Sequence, residues 1–153
     1  MIFAILKARY NMNHFHKILL PSLLLSLLLL PGLKAEAQSN EFDVFIPISK
    51  YLSQGDAASL SAWFADNLEV SIEGKSYNSS KTQARQIVKS FLDTNPPRAF
   101  SISHTAGKNN LKYAIGTLKT GDETYMVTIF VNIDNSNPAS GYKIQHLTIE
   151  PMQ

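Results

Sequence analysis

Between residues 41 and 94 the apolar side chains recur at intervals of three and four, and from residue 100 they recur at every second position. The first spacing is that of a helix face, the second that of a strand with one buried side. Helices first and strands second predict an α+β domain. The first helix is expected at 41–54, with Asn40 as its cap, Glu41 and Asp43 in the first turn and Gly55 after the end. Phe45, Ile48 and Leu52 form its apolar stripe, and Pro47 predicts either a kink or a later start. A short second helix follows Asp56, with Leu60, Trp63 and Phe64 on one face. The third opens on Ser80 and Gln83, a capping box, and continues through Ala84, Ile87, Val88, Phe91 and Leu92. Asn95-Pro96-Pro97 ends it.

A short strand at 68–72 is expected before the third helix. After the prolines, Phe100, Ile102 and His104 alternate with Ser101, Ser103 and Thr105. Further strands are expected at 111–119, 125–133 and 142–150, with a hairpin at Gly121-Asp122 and a looser turn at 134–141. The whole reads as three helices packed on a strongly curved antiparallel sheet. Met126, Phe130, Leu147 and Ile149 are expected to make the second sheet face partly apolar, which a homodimer would cover.

The first 37 residues read as a separate unit. Lys7, Arg9 and Lys17 precede an apolar run at 18–30 interrupted only by Pro21, Ser22 and Ser26, and Ala35-Glu36-Ala37 places small residues before Gln38. That is the layout of a secretory signal peptide, and the run is short of the ~20 apolar residues a spanning helix needs. The expected product is a single domain, residues 38–153, periplasmic or secreted, with no stable membrane anchor after cleavage. Met12 is an alternative start. Export changes the charge balance. Removing Lys7, Arg9, Lys17, Lys34 and Glu36 from the totals of 14 basic and 12 acidic residues leaves 10 against 11, which excludes a basic nucleic-acid surface. The absence of cysteine excludes disulfides, thiol chemistry, a Cys-based zinc site and a lipidated N-terminus.

The order helix, short helix, strand, helix, antiparallel meander resembles the nuclear-transport-factor-2-like superfamily. The mature chain is most similar to a domain-of-unknown-function family of small secreted bacterial proteins. Gln54-Gly55-Asp56-Ala57, Asn95-Pro96-Pro97, Tyr113-Ala114-Ile115-Gly116 and Ile144-Gln145-His146-Leu147-Thr148-Ile149-Glu150 carry that resemblance. It implies a cone-shaped α+β fold and a Gram-negative envelope setting, and no established activity.

Relatives with this fold use the space between helices and sheet as a pocket. A pocket here is expected to draw on Trp63, Phe64, Tyr77, His104, Tyr113 and Tyr125. The principal functional expectation is a non-catalytic domain binding a small apolar ligand or a protein. The alternative is a ketosteroid-isomerase-like isomerase, cyclase or hydratase, with His104 as base and Tyr113 or Tyr125 as oxyanion donor. His104 and His146 also read as core-edge histidines, and Glu69 as part of a solvated strand face. No metal or other cofactor is expected, since a site would need both histidines and a carboxylate together. Lys108, Lys112 and Lys119 read as exposed charges. Asn78-Ser79-Ser80 matches a glycosylation acceptor but reads as the start of the third helix. Phosphate-loop, dinucleotide, nucleophile-elbow and HExxH motifs are missing from the sequence. Intact-mass measurement on the exported protein is expected to give a chain starting at Gln38; a start well before it contradicts the leader.

Overall fold

A computed structural model describes residues 40–133 and 141–153. The expected leader at 1–37 and residues 134–140 of the looser turn lie outside them. Pro47 decides where α1 (Phe45–Gln54) begins. A proline has no N–H for the carbonyl four residues back, and its ring crowds that carbonyl, so it suits a first turn and not an interior. Pro47 is accordingly the third residue of α1, and residues 41–44 form turns instead of the expected helical start. Asn40 closes those turns: its N–H donates to Asp43 Oδ2 at 2.9 Å and its carbonyl accepts from Asp43 N at 3.0 Å. At the far end Gly55 takes φ +68°, and its N–H returns to the Leu52 carbonyl at 3.2 Å.

Asp56 Oδ1 accepts from Ser59 N at 2.9 Å and starts α2 (Ala57–Leu60). A 3₁₀ turn, Ser61–Trp63, then leads straight into β1 (Phe64–Ile72), so Phe64 opens a strand rather than ending a helix. Glu73 and Gly74, at φ +51° and +77°, form a two-residue hairpin turn into β2 (Lys75–Ser80). The capping box forms at the head of α3 (Lys81–Thr94): Ser80 Oγ accepts from Gln83 N at 3.4 Å, and Gln83 Oε1 accepts from Ser80 N at 3.1 Å. Ala84, Val88, Phe91 and Leu92 are buried and Ile87 half-buried. The remaining strands are β3 (Ala99–Lys108), β4 (Leu111–Lys119), β5 (Thr124–Ile133) and β6 (Tyr142–Pro151).

The sheet order is β2-β1-β6-β5-β4-β3. Among the described residues only the β1–β6 pairing is parallel; the others are antiparallel. One sheet face packs on the helices and carries Phe64, Leu68, Val70, Leu118, Val127, Ile129, Val131, Ile144, Leu147 and Ile149. Leu147 and Ile149 therefore belong to the core, not to the second sheet face expected from the alternation. The antiparallel ladders have two bulges, and the one in β6 explains the difference. The register passes from Ile102↔Gly116 to His104↔Ile115, which leaves Ser103 over, and from Val131↔Ile144 to Phe130↔His146, which leaves Gln145 over. Each extra residue reverses the alternation beyond it.

Lys112, expected to be exposed, is buried on the helix-facing side of β4. Its Nζ lies 2.9 Å from Glu41 Oε1, and 5.5 and 5.3 Å from the ring centres of Phe42 and Tyr142. Burial works against the ammonium, but its hydrogen bonds to Glu41 and Tyr142 outweigh that and raise its pKa above the ordinary lysine value. The residues ahead of α1 are thus fastened to the sheet.

Where β4 passes close to β3, a Cβ on Gly116 would lie 2.6 Å from Phe100 Cζ and 2.8 Å from the Ser101 carbonyl oxygen. Gly116→Ala is therefore expected to lower the urea midpoint, by about 1–3 kcal/mol of stability, with the m-value unchanged. An unshifted midpoint would mean that the Phe100 ring moves aside freely.

Candidate functional site

The structure does not bring the six expected pocket residues together. Phe64 is part of the core, and Trp63 is half-buried against it. Tyr125 is also in the helix-facing layer, edge-on to Phe91 at 5.0 Å. Its hydroxyl lies 3.2 Å from Asn95 Oδ1 and 3.4 Å from Glu73 Oε1, so its proton is already claimed by protein acceptors. Tyr77 stands at the β2 edge. Tyr113 and His104 occupy the outer face, because the Ser103 bulge turns His104 away from the side that holds Phe100 and Ile102. Between helices and sheet, Phe45, Leu60, Phe64, Phe91 and Tyr125 are buried in one core cluster.

Burial, followed by the charges of Glu73 and Glu123, pushes the Tyr125 phenol above its ordinary pKa. A group whose pKa is raised by folding adds stability below its unfolded pKa and loses it as pH climbs through the folded one. Alkaline unfolding above pH ~10 is therefore expected to be steeper for the native protein than for Tyr125→Phe, measured by denaturant midpoints against pH. Parallel curves would detach this phenol from alkaline stability.

On the outer face the register sets up a row of side chains that crosses five strands. Tyr113 pairs with Phe130, Phe130 with His146, and His146 with Glu69. Ring centres are 5.8 Å apart for His104 and Tyr113, 5.5 Å for Tyr113 and Phe130, and 6.1 Å for Phe130 and His146. The Tyr113 hydroxyl lies 3.4 Å from His104 Nε2, and His146 Nδ1 lies 3.1 Å from Glu69 Oε2. These spacings are those of cross-strand pairs that stabilise a sheet and, left exposed, form a flat aromatic contact surface. The two histidines are separated by Tyr113 and Phe130. Among the described residues, no group of three His, Asp or Glu side chains is gathered closely enough to hold a metal.

Charge is divided across the same face. Register puts Lys108 and Lys119 on the β3–β4 side and Glu69 and Glu150 on the β1–β6 side, where Lys143 of β6 also lies with its Nζ donating to the Ala62 carbonyl at 3.0 Å. Glu150 Oε1 also accepts from Gly74 N at 3.1 Å, which ties the β1–β2 turn to β6.

A groove runs along the opposite side of β2, where α3 lies against it. A cavity of about 530 Å³ is lined by Tyr77, Asn78, Ser79, Gln83 and Ile87 among others. It shares Tyr77 and Ile87 with a cavity of about 260 Å³ that ends at Glu73 and Asn95. It shares Asn78, Ser79 and Gln83 with one of about 430 Å³ that reaches Glu69 and His146. The short strand β2 was missed from the sequence, since Lys75-Ser76-Tyr77-Asn78-Ser79-Ser80 has no apolar alternation. The Glu73-Gly74 turn was the available signal.

Three solved structures place this architecture. A Bacteroides uniformis protein of the DUF4783 family is 18% identical, with a TM-score of 0.66 over 71% of this chain and 96% of that one. A Bacteroides ovatus protein of the same family is 21% identical, with a TM-score of 0.65 over 70% and 94%. An NTF-2-like protein of unknown function from Burkholderia xenovorans is 13% identical, with a TM-score of 0.52 over 72% and 81%. No curated protein matches the chain. The fold is the nuclear-transport-factor-2-like cone, helices against a curved, unclosed six-stranded sheet. The family model for DUF4783, a domain of unknown function, matches residues 45–150, and the chain belongs to that family.

Proposed function

We propose that this domain is an exported, non-catalytic protein-binding module whose working surface is the outer sheet face, and that its first partner is a second copy of the chain. The leader pattern of residues 1–37 supports export. The observation that carries the binding reading is the row of half-buried Tyr113 and Phe130 beside exposed His146 on a sheet whose other face is filled with core side chains. Phe45, Leu60, Phe64, Phe91 and Tyr125 are buried together in one cluster between helices and sheet, which favours a packed core there over a ligand pocket. Of the two donors expected for a His104 base, Tyr125 is lost because its hydroxyl stands on the other sheet face, whereas Tyr113 lies 3.4 Å from His104 Nε2 on the open outer face rather than in a pocket between helices and sheet.

The charge division favours a twofold pairing. Rotation about an axis along the strands lays the Lys108 and Lys119 side of one sheet over the Glu69 and Glu150 side of its copy. The same rotation stacks Phe130 and His146 near the centre, where aromatic anchors contribute most. Sedimentation velocity is expected to give a dimer. Phe130→Asp is expected to weaken it by about 2 kcal/mol or more, roughly 30-fold, with thermal stability little changed. A native protein that stays monomeric at its highest soluble concentration would overturn the pairing.

A further inference from the structure

The Gln145 bulge disturbs β6 on both of its sides. Toward β1 the pairing passes from Phe64↔Ile144 to Glu69↔His146, so β1 spends residues 65–68 where β6 spends Gln145 alone. The ladder between the two strands lapses over that stretch, as it does wherever one strand runs longer than its partner. Asn67 and Leu68 keep their β2 partners, Ser80 and Ser79, so the opening lies on the β6 side of β1. The cavity of about 430 Å³ sits at this place. Residues 67–69 of β1, 78–80 of β2, Gln83 of α3 and Gln145 and His146 of β6 line it. Four short stretches from four elements enclose a compact pit, not the track of an extended chain.

The lining narrows the occupant. Among the described residues no lysine or arginine lines the pit, so an anion finds no cation there. Its one carboxylate, Glu69, is held by His146, with Oε2 and Nδ1 3.1 Å apart, so a cationic ligand would have to displace the imidazole. Leu68 is its one apolar side chain and is buried. What remains is chiefly amide. Among the described residues the side chains of Asn67, Asn78 and Gln145 make no hydrogen bond, and Gln83 uses only its Oε1, in the α3 cap. A side-chain amide presents a donor and an acceptor side by side. That arrangement matches adjacent hydroxyl groups, each of which also donates and accepts.

We propose that the pit between β1, β2 and β6 binds a neutral sugar unit through its hydroxyl groups. Asn67, Asn78 and Gln145 exchange hydrogen bonds with neighbouring hydroxyls, and the Glu69 oxygen not held by His146 accepts one more. Glu69 and His146 also belong to the outer face, so a copy docked there would lie over the mouth of the pit. The site is built within one chain and does not rest on that pairing.

The probes are maltose, cellobiose, lactose and N,N′-diacetylchitobiose, with a neutral tetrapeptide of alanine and glutamine as the counterpart. Titrated into the isotope-labelled purified protein, at least one disaccharide is expected to give saturable amide shifts with a Kd of about 1 mM or below. The shifts are expected to concentrate at residues 67–69, 78–83 and 145–146, and the tetrapeptide to give none. Asn67 and Asn78 are exposed, so Asn67→Ala/Asn78→Ala is expected to keep the native melting temperature while losing about tenfold in affinity. Phe130→Asp, which removes only the pairing, is expected to bind at least as tightly as the native protein. No saturable shifts with any of the four disaccharides, shifts confined to other residues, or equal saturation by the tetrapeptide would overturn the proposal. Native affinity in the double variant, or loss of binding in Phe130→Asp, would overturn it too. A monomeric native protein that binds a disaccharide supports this site and overturns the pairing alone.

Discussion

A strand offers its side chains to two faces by turns, and a sheet with helices on one side only must keep its apolar set on that side. Every departure from strict alternation then moves a whole run of side chains from one environment to the other. In this protein the two bulges, at Ser103 and Gln145, meet that constraint. The second brings Leu147 and Ile149 under the helices in line with Ile144 and releases His146 outward. The first sends His104 to the same outer face while Phe100 and Ile102 stay against the core. The outer aromatic row and the filled interior are two results of the same pair of insertions.

Burial of charge follows a different logic. Lys112 sits where β4 supplies a helix-facing position, and an ammonium there is costly unless it is partnered. Glu41 supplies the carboxylate, while Phe42 and Tyr142 supply aromatic faces. A segment with little apolar content of its own is thereby held in place by an electrostatic contact. The Tyr125 hydroxyl does comparable work at another point, joining β5 to the residues that follow β1 and α3 through Glu73 and Asn95.

Much of this architecture was legible because its signals are local. Asp56, Gly55 and the Ser80–Gln83 pair mark helix ends through their own backbone bonds, and the stripe through Ala84, Val88 and Phe91 repeats over several turns. The late strands alternate for long enough to be found even where their parity slips. What escaped depends on distant partners. A bulge is defined by the neighbouring strand, so nothing around Ser103 or Gln145 announces one. Strand β2 is polar because an edge needs few apolar contacts, and the burial of Lys112 is decided by Glu41, 71 residues away. The candidate site was less legible than the fold for the same reason: His104 and Tyr125 change faces with register, and register is a property of pairs.

The last strand in the chain is not last in the sheet. β6 lies between β1 and β5, parallel to the first and antiparallel to the second, so it alone joins the β2-β1 ribbon to the β5-β4-β3 meander. Until β6 has left the ribosome, the two halves have no common backbone ladder, and the core side chains Ile144, Leu147 and Ile149 are missing. Assembly of the whole sheet therefore waits on β6, and a chain stopped before Tyr142 lacks the strand that pairs with both β1 and β5.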